Sequence, residues 1–356
     1  MITNGITGPS ASASSNGNSP QSFTSEEKPR LAFTIGDVNG IGIEVLVKAL
    51  KHDDLRAMCR PVIVGNCRLL RSYLQETRLS GASVHEGALI INDDEFPIIE
   101  IESDAPFTLG EIDARAGRLA GDAIIRAAHM AQNGEADGIV TMPISKRALN
   151  AGGHDFPGHT EMLASLVGGE PLMMLMTNGL RVAIVTIHVA LSEVPGMITW
   201  QLIEQRVREL HAALRRDFGI PEPRIAVLGL NPHAGEHGMI GREETEVIAP
   251  TLDRMRAAGM LVEGPTPADG FFARFSPDEY DGVLAMYHDQ GLIPVKLLAR
   301  GAGVNYTAGL PIVRTSPDHG TAFTIAGMGV ADERSVVEAA QVAVEVIGHR
   351  RRVQVP

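Results

Sequence analysis

The run Ala183-Ile184-Val185-Thr186-Ile187, which ends at His188, is the first of three apolar segments that decide the fold of this chain. The second is Ala226-Val227-Leu228-Gly229-Leu230, followed by Asn231-Pro232-His233, and the third is Val283-Leu284-Ala285-Met286-Tyr287, followed by His288. Runs this apolar are typical of parallel strands covered on both faces. Because ligands of open α/β sheets bind beyond the carboxyl ends of the strands, the three histidines are expected at one ligand-binding edge.

The rest of the chain alternates short apolar runs with Ala-rich amphipathic segments, the pattern of βαβ units around a largely parallel sheet. Further strands are predicted at 30–35, 61–64 and 138–141, and helices at 41–50, 114–133, 199–218, 243–258 and 336–348. The 356 residues suffice for two medium-sized cores. The predicted fold is therefore α/β with two lobes and a cleft between them: residues 30–145 plus 300–356 form the first lobe, and residues 146–299 the second.

Composition argues against several classes of protein. The formal net charge of −12 disfavours nucleic-acid binding, which needs a concentrated basic face. Residues 1–29 are rich in Ser, Gly, Asn and Pro, so they are predicted to form a disordered tail without the features of a signal peptide. The chain contains no apolar stretch of ~18 residues that would span a membrane. Cys59 and Cys67 show no metal-ligand spacing and fit a reducing compartment, so a cytoplasmic location is expected.

The three histidines at strand ends form the first candidate site. Neutral imidazole is the commonest protein ligand for divalent transition metals, and three imidazoles with open coordination positions are a catalytic arrangement. Any one of His188, His233 and His288 could instead be an ordinary polar residue near a strand end. Their joint placement favours one shared metal ion, although their long spacing matches no short motif.

Two segments supply further groups that suit catalysis or anion binding. Asp289, directly after His288, could orient an imidazole or act as a base. Lys296 could meet an anion or lie in solvent. In Phe156–Glu161, the sequence Gly-His-Thr at a predicted helix start offers backbone N–H groups, an imidazole and a hydroxyl to a phosphate or carboxylate. The alternative for this segment is an ordinary threonine N-cap.

The last cluster combines Asn305, Arg314 and the loop of residues 315–322. The planar guanidinium of Arg314 suits bidentate contact with phosphate or carboxylate. A loop containing glycine would let the backbone approach a dinucleotide.

The glycine-rich turn of residues 34–42 is a different case, because its glycine spacing is not G-x-G-x-x-G and no acidic residue follows at the required distance. It is interpreted as a substrate-domain loop or tight turn.

Together these segments resemble the 4-hydroxythreonine-4-phosphate dehydrogenase family of pyridoxal phosphate biosynthesis. The resemblance runs from about Leu31 to Val346 and is most specific in residues 230–236, 285–291, 314–316 and 318–322. It implies an isopropylmalate dehydrogenase-like fold, which binds NAD without the Rossmann fingerprint. It also implies a homodimer whose metal sites are built from both subunits.

The resemblance assigns roles to matching residues. The divalent-metal ligands are His188, His233 and His288, with two acidic residues near the metal, Asp269 and Asp289. The substrate contacts are His159, Thr160, Lys296, Asn305 and Arg314. The nucleotide-binding loop contains His319, Gly320, Thr321 and Ala322.

The resemblance also implies a reaction. A Zn²⁺, Mg²⁺ or Co²⁺ ion would bind the C3 hydroxyl of 4-phosphohydroxy-L-threonine and stabilise the developing alkoxide. NAD or NADP would accept the hydride, and the resulting β-keto acid would lose CO₂. Asp289 and Lys296 are the candidates for the base that removes the hydroxyl proton.

Two departures from the biosynthetic pattern leave the substrate open. Thr141–Lys146 reads Thr-Met-Pro-Ile-Ser-Lys in place of Thr-Gly-Pro, a hydrophobic residue and His-Lys, and Gly36–Gly40 replaces Gly-Glu/Asp-Pro-Ala-Gly. Ser145 and Leu292–Lys296 look closer to a branch that acts on 4-phospho-D-threonate or 4-phospho-D-erythronate. That reaction is the alternative function.

Two further alternatives fit the residues less well. The dihydrodiol dehydrogenase of terephthalate breakdown is a relative whose substrate has no phosphate, whereas Tyr287, Asn305 and Arg314 favour the phosphate-binding form. A non-catalytic protein that binds metal and phosphate is the alternative from another class. The three intact metal positions and the nucleotide loop argue against it.

Overall fold

The computed structural model describes residues 28–77 and 79–354, and the strands in this part of the chain form one mixed β-sheet. Within these residues the sheet has thirteen strands: β1 (Arg30–Thr34), β2 (Arg60–Gly65), β3 (Ala82–His85), β4 (Ala88–Ile91), β5 (Asp94–Glu100), β6 (Gly138–Thr141), β7 (Leu172–Thr177), β8 (Leu180–Thr186), β9 (Ile225–Leu228), β10 (Val262–Thr266), β11 (Gly282–Tyr287), β12 (Val304–Ala308) and β13 (Arg314–Pro317). The tail predicted for residues 1–29 lies outside the described residues, except for Lys28 and Pro29.

Helices cover both faces of this sheet. They are α1 (Gly42–Leu50), α2 (Asp53–Met58), α3 (Cys67–Thr77), α4 (Ala114–Gln132), α5 (Lys146–Ala151), α6 (His159–Val167), α7 (Val194–Met197), α8 (Trp200–Phe218), α9 (Ala249–Ala257), α10 (Ala268–Ala273), α11 (His288–Ala299) and α12 (Arg334–Gln354). None of the helices in the described ranges is long and apolar enough to cross a lipid bilayer.

The strand order is β10-β9-β11-β8-β7-β12-β13-β6-β1-β2-β5-β4-β3. Two parallel blocks, β10-β9-β11-β8 and β13-β6-β1-β2-β5, flank an antiparallel centre in which β7 pairs with β8 and β12, and β12 with β13. Strands β7–β11 belong to the predicted second lobe and the other strands to the first. All of them join one sheet, and the division into two lobes stays a prediction.

Apolar side chains fill the space on both faces of the sheet. On one face a large cluster joins the sheet to α1, α3, α8 and α12. On the other face the core is split into two, one cluster beneath α4 and α6 and another beneath α10 and α11. The α/β class predicted from the sequence is confirmed, and the gap between the two smaller clusters is where a cleft opens.

Polar contacts fix the centre of the sheet from behind. The buried carboxylate of Asp217, near the end of α8, accepts hydrogen bonds from the Tyr306 hydroxyl of β12 (2.7 Å) and from Nε of Arg350 on α12 (2.8 Å). Arg216 adds two more bonds to the same carboxylate (2.6 and 2.9 Å). Because a buried carboxylate with several charge-assisted partners holds them in place, β12, α8 and α12 are locked together here.

Local sequence signals explain where several of the helices begin and end. The hydroxyl of Thr199 accepts from the Leu202 backbone N–H and caps α8, which ends at Gly219 in a left-handed conformation. Ser145 caps α5 by accepting from the Ala148 N–H (3.2 Å). The helix predicted at 243–258 is divided, because Glu244–Ile248 forms a π-helical turn before α9.

Candidate active site

The floor of the candidate site is one face of the antiparallel centre of the sheet. Leu175 of β7, Asn305 of β12 and Ser316 of β13 are register partners. Met173 and Thr307 form the next row, two residues further along their strands. Because alternate residues of a strand share a face, these side chains point into the same space.

A cleft of about 240 Å³ opens above this floor. This is below the ~300–1,000 Å³ of pockets for drug-sized ligands, so the cleft suits a small metabolite. Its lining includes seven residues that the sequence analysis assigned to substrate, metal or nucleotide: His159, Thr160, His188, Asn305, Arg314, His319 and Gly320. The predicted residues that do not line it are His233, Asp269, His288, Asp289, Lys296, Thr321 and Ala322.

Three polar atoms of this lining are buried without a hydrogen-bond partner among the described residues. They are Nε2 of His159, Oδ1 of Asn305 and Nε2 of His319. A buried polar atom that makes no hydrogen bond costs about 1–3 kcal/mol. Three such atoms around one cleft indicate that a polar ligand completes their hydrogen bonding.

Arg314 is a buried cation in this lining. Its side chain is only 2% exposed, and its hydrogen bonds go to the hydroxyls of Thr141 (3.1 and 2.8 Å) and Thr307 (2.9 Å). Burial lowers the pKa of Arg314 to about 10, and the charge of Glu161 partly opposes this effect. The guanidinium therefore stays charged at neutral pH. A buried charge is normally paired, and within the described part of the chain Arg314 has no carboxylate hydrogen-bonded to it. Its environment therefore suits an anionic ligand.

The amino end of α6 faces the same cleft. The helix begins at His159 directly after Gly158, and no side chain within the described residues caps it. The alternative of a threonine N-cap is therefore wrong, because Thr160 is the second residue of the helix. Burial, reinforced by the Arg314 cation, holds the pKa of His159 well below its usual value. The uncapped N–H groups at the start of α6 and a neutral imidazole are thus available to an anion.

Lys146 is a lining residue that the sequence analysis did not select. It is the first residue of α5 and lowers the pKa of both His159 and His188, although burial is the larger cause for each. The same rule that identified the histidines could have found it, since Ser145-Lys146 follows the carboxyl end of β6. Lys146 and Arg314 are thus two cationic residues in the lining, which also contains the carboxylates of Glu161 and Asp318.

The three predicted metal ligands follow three adjacent parallel strands. His188 lies two residues beyond β8, His288 directly follows β11, and His233 lies five residues beyond β9. In the sheet the order is β9-β11-β8, so all three emerge at one edge, as the sequence predicts. The rings of His188 and His288 have centroids 5.9 Å apart.

Two of these imidazoles fit one divalent ion. At metal–nitrogen distances of about 2.0–2.1 Å, rings with this separation can bind the same ion. Burial and Lys146 lower the pKa of His188, which favours the neutral imidazole that a metal requires. Residues 28–77 and 79–354 of a single chain nevertheless contain no group of three or more His, Cys, Asp or Glu side chains that could hold an ion. The site of three histidines stays a prediction.

The other predicted residues surround this edge. Oδ1 of Asp289 lies 2.7 Å from Nδ1 of His288, so Asp289 is placed to orient that ring. Asp269 is exposed in the first turn of α10, which contacts the turn that carries His233. Lys296 is exposed on α11, outside the lining of the cleft.

His233 opens a left-handed turn. Residues His233 to His237 all have positive φ, between 41° and 78°. For residues other than glycine this conformation costs roughly 1–2 kcal/mol each, and such strain tends to occur at functional sites. The buried carboxylate of Glu244 holds the start of the turn by accepting from the backbone N–H (2.7 Å) and the side-chain amide (2.9 Å) of Asn231.

The predicted nucleotide loop is only partly in the cleft. Beyond Gly320, Thr321 packs against the glycine-rich turn at the end of β1. Its carbonyl accepts from the Ile41 N–H (3.0 Å), and a Cβ on Gly40 would lie 2.7 Å from the same oxygen. Glycine is therefore required at position 40 by close packing against the loop.

The glycine-rich turn also contains a buried carboxyl group. Asp37 accepts from the Asn39 N–H (3.0 Å) through Oδ1, whereas Oδ2 is buried without a partner among the described residues. Burial raises its pKa from 3.8 to about 6, although backbone N–H groups of Asn39 and Ser145 lower it in part. The native pKa exceeds the unfolded value, so this group's contribution to stability is fully present below about pH 4. It is lost as the pH rises through about 6.

Asp37→Asn should remove this dependence on pH. Between about pH 5 and about pH 8 the original protein should lose ~1.4 kcal/mol of unfolding free energy through ionisation of Asp37. The variant should not lose it, because the amide cannot ionise. Urea unfolding at both pH values measures this difference. The exposed Asp54→Asn on α2 is the control and should show no such change. An equal effect of Asp37→Asn at both pH values would contradict the burial argument.

Comparison with known proteins decides the family. The family model described as pyridoxal phosphate biosynthetic protein PdxA matches residues 57–343. The chain belongs to the PdxA family. The membership predicted from the sequence is thus confirmed, and the relatives named below are dehydrogenases, as predicted.

Two curated relatives and one crystal structure span almost the whole PdxA-family chain. The 4-hydroxythreonine-4-phosphate dehydrogenase of Bacteroides thetaiotaomicron is 41% identical, covering 92% of this chain and 91% of the relative. The D-threonate 4-phosphate dehydrogenase of Cupriavidus necator is 46% identical, covering 92% and 99%. A crystal structure of 4-hydroxythreonine-4-phosphate dehydrogenase from Klebsiella pneumoniae has a TM-score of 0.79 at 39% identity, covering 90% and 98%.

Proposed function

We propose that this PdxA-family chain is a metal-dependent NAD(P) dehydrogenase that oxidises 4-phosphohydroxy-L-threonine at its C3 hydroxyl, after which the product is decarboxylated. The observation that carries the proposal is Arg314, a buried cation whose hydrogen bonds end on hydroxyls, in a cleft with three unpartnered polar atoms. A small substrate with a phosphate and a carboxylate matches that environment in both charge and hydrogen bonding.

The residues of the cleft would bind and orient this substrate. Arg314, Lys146 and the amino end of α6 would hold its anionic groups. His159 is neutral and can share a hydrogen bond without adding charge. Asn305 offers its orphaned carbonyl oxygen to a hydroxyl or amine of the substrate. Fixed in this way, the reacting carbon would lie near His188 at the edge of the sheet.

His188, His233 and His288 are proposed to hold a divalent ion, with Asp289 orienting His288 and Asp269 nearby. When bound, such an ion lowers the pKa of a coordinated hydroxyl and stabilises negative charge on its oxygen. Residues 319–322 are proposed to contact NAD or NADP, since His319 and Gly320 reach the cleft beside the substrate positions. Asp289 and Lys296 remain the candidates for the base.

A second copy of the chain is proposed to complete the site. The part of one chain that is described gathers two of the histidines but no group of three ligands. Helix α11, which begins at His288, exposes Ile293 (64%) and Leu297 (74%), and Lys296 lies between them. An apolar surface beside an incomplete site supports a homodimer in which this helix contacts the partner.

D-Threonate 4-phosphate is the second candidate substrate. It is favoured by the 46% identity to the Cupriavidus necator enzyme, against 41% to the Bacteroides thetaiotaomicron enzyme. Ser145, one of the residues that suggests this branch, caps α5 and does not line the cleft. A direct contact from Ser145 to the substrate is therefore not what would distinguish the two compounds.

Initial rates with each substrate test the proposal. We expect NAD(P)H formation with 4-phosphohydroxy-L-threonine at a kcat/KM at least ~10-fold above that with 4-phospho-D-threonate or 4-phospho-D-erythronate, about 1.4 kcal/mol of discrimination. Each assay is run with chelator and with added Zn²⁺, Mg²⁺ or Co²⁺. A reversed preference would establish the second candidate, and no NAD(P)H from any of the three would contradict dehydrogenase function on these acids.

A further inference from the structure

The strands that carry His233 and His288 separate before they reach their histidines. Strands β9 and β11 pair in parallel from Ile225 and Gly282 to Val227 and Leu284. Beyond this point β9 ends at Leu228, whereas β11 continues to Tyr287. The last residues of β11 therefore lack backbone hydrogen bonds to β9, and another group has to fix the spacing of the two ends.

The side chain of Gln290 spans this gap. Its Oε1 accepts from the Met286 N–H (2.7 Å), and its Nε2 donates to the Gly229 carbonyl (2.6 Å). The side-chain amide thus takes the place of one peptide group between β9 and β11 beyond the end of their pairing, because it offers one acceptor to Met286 and one donor to Gly229. Gln290 itself does not line the cleft.

Further bonds connect this bridge to the neighbouring strands. The Met286 carbonyl accepts from the Thr186 hydroxyl (2.8 Å), two residues before His188. The Gly229 N–H donates to the Thr266 carbonyl of β10 (2.9 Å). Both polar groups of the Met286 backbone are therefore held by side chains, at a position two residues before His288.

We propose that Gln290 is a positioning residue, whose amide sets where His288 lies relative to the end of β9 that carries His233. This inference rests on the proposed metal-dependent function. Only an amide of this length supplies both contacts: glutamate would place an acceptor against the Gly229 carbonyl, and leucine would make neither bond. Removing the bridge should change metal binding without removing a ligand.

Cobalt binding tests this role in the full-length protein. Gln290→Leu and Gln290→Glu are titrated with Co²⁺ and followed by visible absorption, which reports coordination geometry. We expect Co²⁺ affinity to fall by about 10–100-fold in both variants, the range for lost partners of metal ligands, with an altered absorption band. The KM for NAD(P) should stay within about twofold, while kcat falls. Gln205→Leu, at an exposed position on α8, is the matched control.

The outcomes separate this inference from the function on which it rests. If the original protein binds no Co²⁺, the metal-dependent function fails, and the role of Gln290 fails with it. If the original protein binds Co²⁺ and a folded Gln290 variant binds it with the same affinity and spectrum, only the role of Gln290 is overturned. Lower thermal stability with unchanged Co²⁺ binding would likewise mark Gln290 as structural. Should Gln290→Leu fail to fold, Gln290→Glu, which keeps the acceptor, decides the question.

Discussion

Arg314→Met is expected to lower kcat/KM for the phosphorylated substrate by about 10²–10⁴-fold. The substitution would remove the two charge-assisted hydrogen bonds proposed between Arg314 and the substrate anion, each worth about 1.5–3 kcal/mol. The free energy of unfolding without ligand should fall much less. A buried cation whose hydrogen bonds within the described residues go to the hydroxyls of Thr141 and Thr307 adds little net stability once its desolvation is counted. Steady-state kinetics and urea unfolding measure the two effects.

Two further variants make the test of Arg314 specific. Arg314→Lys keeps the charge but not the planar fork, so it should recover part of the lost activity. Arg126→Met, which removes a surface arginine paired with Glu135, should leave kcat/KM unchanged. If Arg314→Met retained the original KM, and inorganic phosphate still raised its melting temperature as in the original protein, Arg314 would not be the anion-binding group.

His188→Ala is expected to lower kcat by at least ~10³-fold, the several kcal/mol that a Lewis acid contributes to the transition state. The fold should be preserved, because His188 lies beyond the end of β8 and outside the apolar core. Metal content per chain should fall together with kcat. Activity assays, elemental analysis and thermal unfolding of the same preparation measure the three quantities.

The control for His188 is His85→Ala, at an exposed position at the end of β3, the strand at the outer edge of the sheet farthest in strand order from β10. It should match the original protein in activity and metal content. Treating the original protein with a chelator should reduce its activity to the level of His188→Ala, and added metal should restore only the original protein. Near-normal turnover of His188→Ala would refute its assignment as a ligand.

Strands were predicted most accurately where an apolar run ends at a polar residue that could bind a ligand. The apolar runs before His188, His233 and His288 identified three strands, and the structure places them side by side with their histidines at one edge. The same logic identified the end of β6, and the boundaries of that strand are as predicted. A parallel strand buried on both faces has to be apolar throughout, so its end is visible in the sequence.

Two of the strands that form the floor of the cleft, β12 and β13, were missed because functional polar residues interrupt their apolar pattern. Strand β12 places Asn305 and Thr307 toward the cleft, and β13 begins with Arg314. Strand β7 is apolar but methionine-rich, and methionine also suits helices. One signal was present: Asn178-Gly179, with positive φ at both residues, marks the tight turn between β7 and β8.

Other features depend on contacts that sequence patterns do not show. The π-helical turn at Glu244–Ile248 begins at Glu244, whose buried carboxylate is bonded to Asn231 ahead of the turn that carries His233. Whether Lys296 reaches a substrate depends on what covers α11, since the residue is exposed and does not line the cleft of its own chain. Neither fact could be deduced from residue spacing.

The contacts of Asp217 make the far side of the protein part of the substrate site. Asn305 and Tyr306 are neighbours on β12: Asn305 lines the substrate cleft, and the Tyr306 hydroxyl is bonded to both Asp217 and Arg350. Residues near the carboxyl end of the chain thereby determine how rigidly Asn305 is presented. A substitution of Asp217 on α8 would therefore need a compensating substitution of Arg350 on α12. Replacing either residue alone would leave β12, and with it Asn305, less firmly held behind the cleft.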